Sequence, residues 1–200
     1  MLRVIFLPAF CITQLISFAQ FNWKLEKDKD KIQIYTSLSP HSSIKAVRVE
    51  ASFQGNYTKL VSILNEPERF DEWIYKTKRS TLLKRNSRND FLYYSETSMP
   101  FPLDNRDVVL HVTINTDSLP KFLLINGKNV DDVIPEIHFR VRVPHYAASW
   151  KVTMPSANTI HISYILDLDP GGSIPSSLIN IFVDKGPYET FRNLEEELKK

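Results

Sequence analysis

Apolar and polar residues alternate along most of the chain, and this period of two is typical of strands with one buried face. The alternation is visible at 31–36 and 44–51 and, after a helical interruption, at 81–83, 91–97, 107–115, 121–126, 137–143, 150–154 and 159–168. Polar clusters at 89–90, 126–129 and 156–158 predict turns between these stretches. Because the connections are short, the pattern favours an antiparallel meander over parallel βαβ units.

Two segments change to a helical period of three to four residues. In the first, Asn56 is placed to cap a helix over 57–64, and Pro67 follows its end. In the second, a largely apolar stretch at 174–184 leads into a C-terminal amphipathic helix. The apolar stripe of that helix consists of Tyr188, Phe191, Leu194 and Leu198.

Strand parity predicts one wide apolar face on the sheet. It includes Val108, Leu110 and Val112, then Phe139, Val141 and Val143, then Ile162, Tyr164 and Leu166. A single helix about 10 Å wide cannot cover such a face. The sheet is therefore expected either to close on itself or to curl around the C-terminal helix and leave an apolar cavity, which is a ligand site by default.

The N-terminus has the three parts of a secretory signal. Arg3 precedes a mostly apolar run at 4–18, and Ala19 provides the small residue before Gln20. The run is shorter than the roughly 20 apolar residues that a membrane span needs. We therefore expect export to the periplasm or the medium, with cleavage between Ala19 and Gln20 and a single domain over residues 20–200.

Composition narrows the function classes. Cys11 is the only cysteine and would leave with the signal, so neither a disulfide nor thiol chemistry is expected. The formal net charge is +2, without the dense basic stripe that nucleic-acid binding requires. A local basic run at 76–88 is interpreted as the solvated face of a hairpin, with contact to anionic lipid headgroups as the alternative.

Catalytic signatures are absent from the sequence. It has no Gly-x-Ser-x-Gly elbow, no His-Glu-x-x-His motif and no phosphate loop. Its five histidines are scattered, and parity places His111, His138 and His161 opposite the apolar face. We therefore predict no catalytic residue, no metal and no cofactor.

Several short motifs, taken together and in order, resemble the START (StAR-related lipid transfer) domain family over essentially the whole of residues 20–200. They are WKLEKD at 23–28 with IQIY at 32–35, Trp73, MPFPLDNRD at 99–107, Val141-Arg142 leading to Trp150 and Met154-Pro155, and DPGGSIP at 169–175 with LIN at 178–180. The resemblance implies an α+β helix-grip fold, in which a curved antiparallel sheet wraps around a long C-terminal helix. It also implies a monomeric carrier or sensor of lipids that makes transient membrane contact and performs no chemistry.

Two alternatives stay open at this stage. One is an enzyme of the wider helix-grip superfamily, such as a cyclase or hydrolase, with an acid or base beside the cavity. The other is an interaction module whose groove holds an apolar peptide. A closed cavity would favour lipid carriage, and an open shallow groove would favour the peptide.

The predicted lipid-binding residues combine strand parity with the family motifs. They are Glu96, Arg106, Val108, Leu110, Val112, Phe139, Val141, Trp150, Tyr164 and Leu166. Arg106 is interpreted as an anchor of its strand rather than a ligand contact. Glu96 matches an acidic position of the family, and Val112 stands where family members often carry a cavity-facing arginine that meets a carboxylate or a lipid headgroup. Without this arginine, a buried Glu96 needs another hydrogen-bond donor or contact with solvent. This departure predicts a preference for neutral lipids over phospholipids.

Overall fold

The computed structural model describes residues 21–200, with the side chains of Ser176 and Asn180 excepted. The predicted signal and its cleavage position after Ala19 lie outside these residues. None of the helices in the described range combines the length and the apolar character needed to cross a bilayer.

Within residues 21–200, ten strands form one sheet. The strands are β1 (Lys24–Lys29), β2 (Ile32–Ser37), β3 (Ala46–Gln54), β4 (Thr77–Ser87), β5 (Asp90–Thr97), β6 (Asn105–Asn115), β7 (Leu123–Asn129), β8 (Arg140–Arg142), β9 (His145–Ser156) and β10 (Thr159–Asp169). Their order is β1-β2-β3-β10-β9-β7-β6-β5-β4, with β8 paired to β6. All neighbours are antiparallel except β6 and β8.

Four α-helices in the described range flank the sheet: α1 (Tyr57–Leu64), α2 (Phe70–Trp73), α3 (Asn180–Val183) and α4 (Lys185–Lys199). The side chain of Asn56 accepts a hydrogen bond from the Lys59 backbone N–H at 2.9 Å, which is the predicted N-cap. Pro187 lies in the first turn of α4, where its missing N–H breaks no helical hydrogen bond.

The C-terminal helix α4 packs its apolar stripe into the concave side of the sheet. Phe191 and Leu194 are fully buried, and the Phe191 ring stacks on Trp150 of β9 with ring centroids 5.3 Å apart. Helix α4 also contacts β2 and β3, which lie next to the β1 edge of the sheet. The helix-grip fold class is therefore confirmed.

Two of the predicted extended or turn segments are wrong. The turn expected at 126–129 is the second half of β7, because Gly127 pairs with Val112 of β6 on one side and Ala148 of β9 on the other. The strand expected over 137–143 is reduced to β8, which pairs in parallel with the first residues of β6. The predicted antiparallel meander is therefore interrupted twice, because β8 pairs in parallel with β6 and because β3 is adjacent to β10 rather than to β4.

Candidate functional site

A cavity of about 190 Å³ lies between the concave face of the sheet and helices α2 to α4. The sheet supplies one wall, mainly from β5, β6, β7, β9 and β10. The opposite wall comes from the helices and from the connection between α2 and β4, and it includes Phe70, Trp73, Ile181, Phe182 and Phe191. The cavity thus lies where the sequence predicted an uncovered apolar face.

Five of the predicted lipid-binding residues line this cavity, four of them predicted from strand parity and Trp150 from the family motifs. They are Leu110, Val112, Trp150, Tyr164 and Leu166. Trp150 and Tyr164 are partners in the β9–β10 ladder, and their ring centroids are 4.8 Å apart. The outward-facing neighbours of Leu110, which are Val109 and His111, do not line it.

Three other predicted apolar residues lie elsewhere. Val108 is buried in the hydrophobic core and is not part of the cavity lining. Val141 packs on the corner between β10 and the C-terminal helices, near Gly171 and Gly172. Phe139 is 82% exposed, because it precedes β8 with a positive φ of 59° and strand parity does not apply there.

Arg106 anchors the corner between the sheet and the C-terminal helices. Its guanidinium donates hydrogen bonds to the backbone carbonyls of Asp104 at 2.7 Å, Gly171 at 3.2 Å and Pro170 at 3.4 Å. Gly171 and Gly172 adopt positive φ angles of 69° and 61°, which favour glycine. Arg106 therefore holds the turn, and it is not part of the cavity wall.

Glu96 does not face the cavity either, because its neighbours at odd positions in β5, Tyr93 and Thr97, do. Its carboxylate lies on the other face, 3.0 Å from the Arg140 guanidinium, and accepts a hydrogen bond from the Asn105 amide at 2.6 Å. Lys78 lies 3.4 Å away. Burial raises the pKa of Glu96, but these donors outweigh burial and leave the pKa below its ordinary value.

The lining carries no charge: among the described residues around the cavity there is no Asp, Glu, Lys, Arg or His. Its polar groups include the buried hydroxyls of Tyr93, Tyr146 and Tyr164. Burial raises the pKa of all three, and Tyr146 and Tyr164 also interact with each other. These neutral hydroxyls can donate to or accept from a ligand.

Sequence reasoning identified Tyr164 but missed Tyr93 and Tyr146. Tyr93 has the same parity as the fully buried Phe91 in β5, so alternation could have placed it on the inner face. Tyr146 lies in the first residues of β9, before the predicted start of that strand at position 150. Tyr146 could have been identified only from the true start of β9, and sequence patterns define strand boundaries poorly.

One close backbone approach shapes the helical wall. A Cβ atom on Gly186 would lie 1.9 Å from the carbonyl oxygen of Ile181, so only glycine fits where α3 meets α4. Ile181 and Gly186 both line the cavity. The wall thus depends on this junction.

Comparison with known proteins agrees with this architecture. A family model described as the START domain matches residues 13–200. An uncharacterized protein of Pseudomonas aeruginosa is 32% identical over 180 residues, which cover 90% of this chain and 88% of that protein. The phosphatidylcholine transfer protein of Mus musculus is 24% identical over 163 residues, which cover 80% of this chain and 75% of that protein.

A solved structure is also similar. The crystal structure of a STAR-related lipid transfer protein fragment from Xanthomonas axonopodis superposes with a TM-score of 0.79 at 29% identity, covering 89% of this chain and 99% of that one. The family match extends over nearly the whole chain and includes every strand and helix described above. The chain therefore belongs to the START domain family.

Proposed function

We propose that this protein binds a lipid or similar hydrophobic small molecule in the cavity, without chemistry, and carries or presents it. The observation that carries this proposal is the uncharged lining, which combines apolar walls with a few buried hydroxyls. Small-molecule sites typically have this composition. Two of the similar proteins are a STAR-related lipid transfer protein and a phosphatidylcholine transfer protein, which supports a lipid as the ligand class.

We further propose that the ligand is neutral or weakly polar. Val112, in the cavity wall, offers no cation, and Arg106 is already bound to three carbonyls. A phosphate in this cavity would lose its hydration without gaining a charge-assisted partner. A hydroxyl, ester or carbonyl group needs only the hydrogen bonds that Tyr93, Tyr146 and Tyr164 can supply.

The cavity volume bears on the size of the ligand. About 190 Å³ is below the roughly 300–1,000 Å³ typical of small-molecule sites. A lipid with two acyl chains would fit only if part of the wall moved. The comparison that tests headgroup choice must therefore hold the chains constant.

Competition for a bound fluorescent fatty acid tests this preference. The competitors are diacylglycerol and phosphatidylcholine with identical chains. We expect diacylglycerol to displace the probe at a concentration at least about tenfold lower, equivalent to roughly 1.4 kcal/mol. Val112→Arg should reduce or reverse that ratio, because it adds a guanidinium to the wall.

His111→Arg is the matched control for that variant. His111 is adjacent to Val112, points to the opposite face and contacts Asp90 at 2.9 Å, an interaction that arginine can keep. The control should leave the ratio as in the wild type. A tenfold preference of the wild type for phosphatidylcholine would defeat the neutral-lipid proposal.

The two alternative functions, a helix-grip enzyme and a peptide-binding module, have less support from the cavity. A helix-grip enzyme needs an acid or base beside its substrate. The titratable side chains described around this cavity are tyrosines, and burial raises the pKa of Tyr93, Tyr146 and Tyr164 further above the neutral range. The apolar peptide alternative needs a groove, whereas this cavity is bounded by the sheet on one side and by α2 to α4 on the other.

Export, oligomeric state and membrane contact belong to the same proposal. We expect an exported monomer in which the basic residues of strand β4 form a solvent-exposed face.

We expect transient membrane contact through Phe101, which is 98% exposed in the loop before β6. Co-sedimentation with anionic vesicles should fall in Phe101→Ser, and an unchanged bound fraction would rule out this contact. The mass of the native protein from its host should equal that of a single chain of residues 20–200, which tests both the cleavage after Ala19 and the monomeric state.

A further inference from the structure

Three side chains of types that ligate metals lie close together on the outer face of the sheet, opposite the cavity. They are His41 in the β2–β3 connection, His145 at the start of β9 and Asp167 near the end of β10. Because Leu166 and Leu168 line the cavity, the side chain of Asp167 between them points outward. Asp169 is the ladder partner of His145, so His145 and Asp167 are diagonal neighbours on this outer face.

The three side chains converge on one point. One ligand atom from each lies within 4.8 Å of the others. The Asp167 carboxylate is 3.5 Å from Nε2 of His145, and the His41 and His145 ring centroids are 4.5 Å apart. Ring nitrogens and a carboxylate oxygen at these separations form a donor set that a small rotation of the exposed His41 would close around one ion.

Ser39 orients two members of the group. Its hydroxyl donates to Oδ1 of Asp167 at 2.5 Å and accepts from the backbone N–H of His41 at 2.9 Å. The bond to Oδ1 turns the second oxygen, Oδ2, toward His145. Outer contacts of this kind fix the ligands of metal sites in place.

His145 also has unsatisfied hydrogen-bonding capacity at one ring nitrogen. Its Nε2 is shielded from solvent and makes no hydrogen bond within residues 21–200, because the 3.5 Å contact with Asp167 is too long for one. A shielded polar atom without a partner is costly. A metal ion between His41, His145 and Asp167 would give this nitrogen its missing partner.

We propose that His41, His145 and Asp167 bind a divalent transition metal ion of the zinc class. Two imidazoles and one carboxylate suit such ions, and three protein ligands leave at least one position for water. A shallow surface groove lined by Pro40, His41 and Asp167 gives the ion access. The site is on the opposite face from the lipid cavity, so it stands independently of the proposed function.

Metal binding would attach the β2–β3 connection to the end of the β9–β10 hairpin. His41 belongs to the connection, whereas His145 and Asp167 belong to the two strands. An ion that binds only the folded arrangement raises the stability of the fold in proportion to its affinity and concentration. The site therefore has a structural readout as well as a binding one.

The test uses the full protein without an affinity tag, after removal of metals with EDTA. Titration with Co²⁺, followed by visible absorption, and with Zn²⁺, followed by calorimetry, should give one ion per chain. His41→Ala, His145→Ala and Asp167→Asn should each weaken binding by more than about tenfold. Zn²⁺ should raise the melting temperature of the wild type and not that of these variants.

His161→Ala is the matched control, because His161 is also an outward histidine of the sheet beside a carboxylate, 3.2 Å from Glu50. It should bind Zn²⁺ like the wild type. His41 is exposed, so His41→Ala keeps the test decisive if His145→Ala does not fold. Absence of one-to-one binding, or equal losses in His41→Ala and His161→Ala, would overturn the proposal.

Discussion

Glu96 and Asp107 are buried carboxylates that pair with arginines of β8. They are ladder partners in β5 and β6 and lie on the face opposite the cavity. Arg142 of β8 binds Asp107 through Nε at 2.9 Å and Nη2 at 3.1 Å, and Arg140 of β8 contacts Glu96. The short parallel strand β8 therefore supplies the two arginines that neutralise both acids.

The pairing of Glu96 makes stability depend on pH in a defined direction. Because its pKa is lowered in the fold, its ionised form stabilises the protein fully above pH about 4.3 and loses this effect as the pH falls through the folded-state pKa. Glu96→Gln should therefore lower the free energy of unfolding by about 1.5–3 kcal/mol at pH 6. The difference from the wild type should shrink between about pH 5 and pH 3.

Urea unfolding at several pH values measures both free energies. Glu68→Gln, a change at an exposed carboxyl, should leave a small difference from the wild type. If the gap between the wild type and Glu96→Gln widened at low pH, the assignment of Glu96 as a stabilising carboxylate would be wrong.

At the scale of elements, the sequence predicted most strands and both amphipathic helices because their apolar periods are long and regular. It failed at 126–129, where a turn-like Asn-Gly sequence is held extended by strands on both sides. It also failed at 137–139, where Phe139 has an apolar side chain but a left-handed backbone. At 126–129 tertiary pairing overrides a local preference. At 137–139 the chain instead makes a turn before β8, and the pairing of β8 with β6 begins only at Arg140.

The packing of α3 against α4 leaves no room for a Cβ atom at Gly186. Gly186→Ala would place a Cβ 1.9 Å from the Ile181 carbonyl oxygen, so the two helices must separate. We expect a loss of about 1–3 kcal/mol in the free energy of unfolding, as for other overpacked sites. Urea unfolding checks this value.

Gly127→Ala is the control for the effect of adding a methyl group at a cavity-lining glycine. A Cβ there would lie 3.8 Å from the Tyr146 ring, which is an ordinary contact. This variant should stay close to the wild type in stability. Equal stability of Gly186→Ala and the wild type would show that the junction is looser than the structure indicates.

At the scale of the whole molecule, one sheet presents different chemistry on its two faces. The inner face at Leu110, Val112, Tyr164 and Leu166 was predictable, because parity depends only on the strand period. The outer cluster of His41, His145 and Asp167 was not, because its members are far apart in sequence and only the fold brings them together. The partners of Glu96 and Arg106 were unpredictable for the same reason.

Native mass spectrometry of the protein purified from its own host tests most directly whether the cavity holds a lipid. Ala148→Phe serves as a variant with a filled cavity, because Ala148 is buried and lines it. Ala147→Phe is the matched control, since Ala147 is adjacent in β9 and exposed on the outer face. Ala148→Leu replaces the larger variant if thermal unfolding shows that Ala148→Phe is not folded.

We predict that the wild type and Ala147→Phe carry an added mass that organic solvent extracts as a neutral lipid, and that Ala148→Phe carries much less of it. The filled cavity should exclude the ligand while the outer face has no effect on it. Equal lipid content in Ala148→Phe and Ala147→Phe, or no bound lipid in the wild type, would contradict the account.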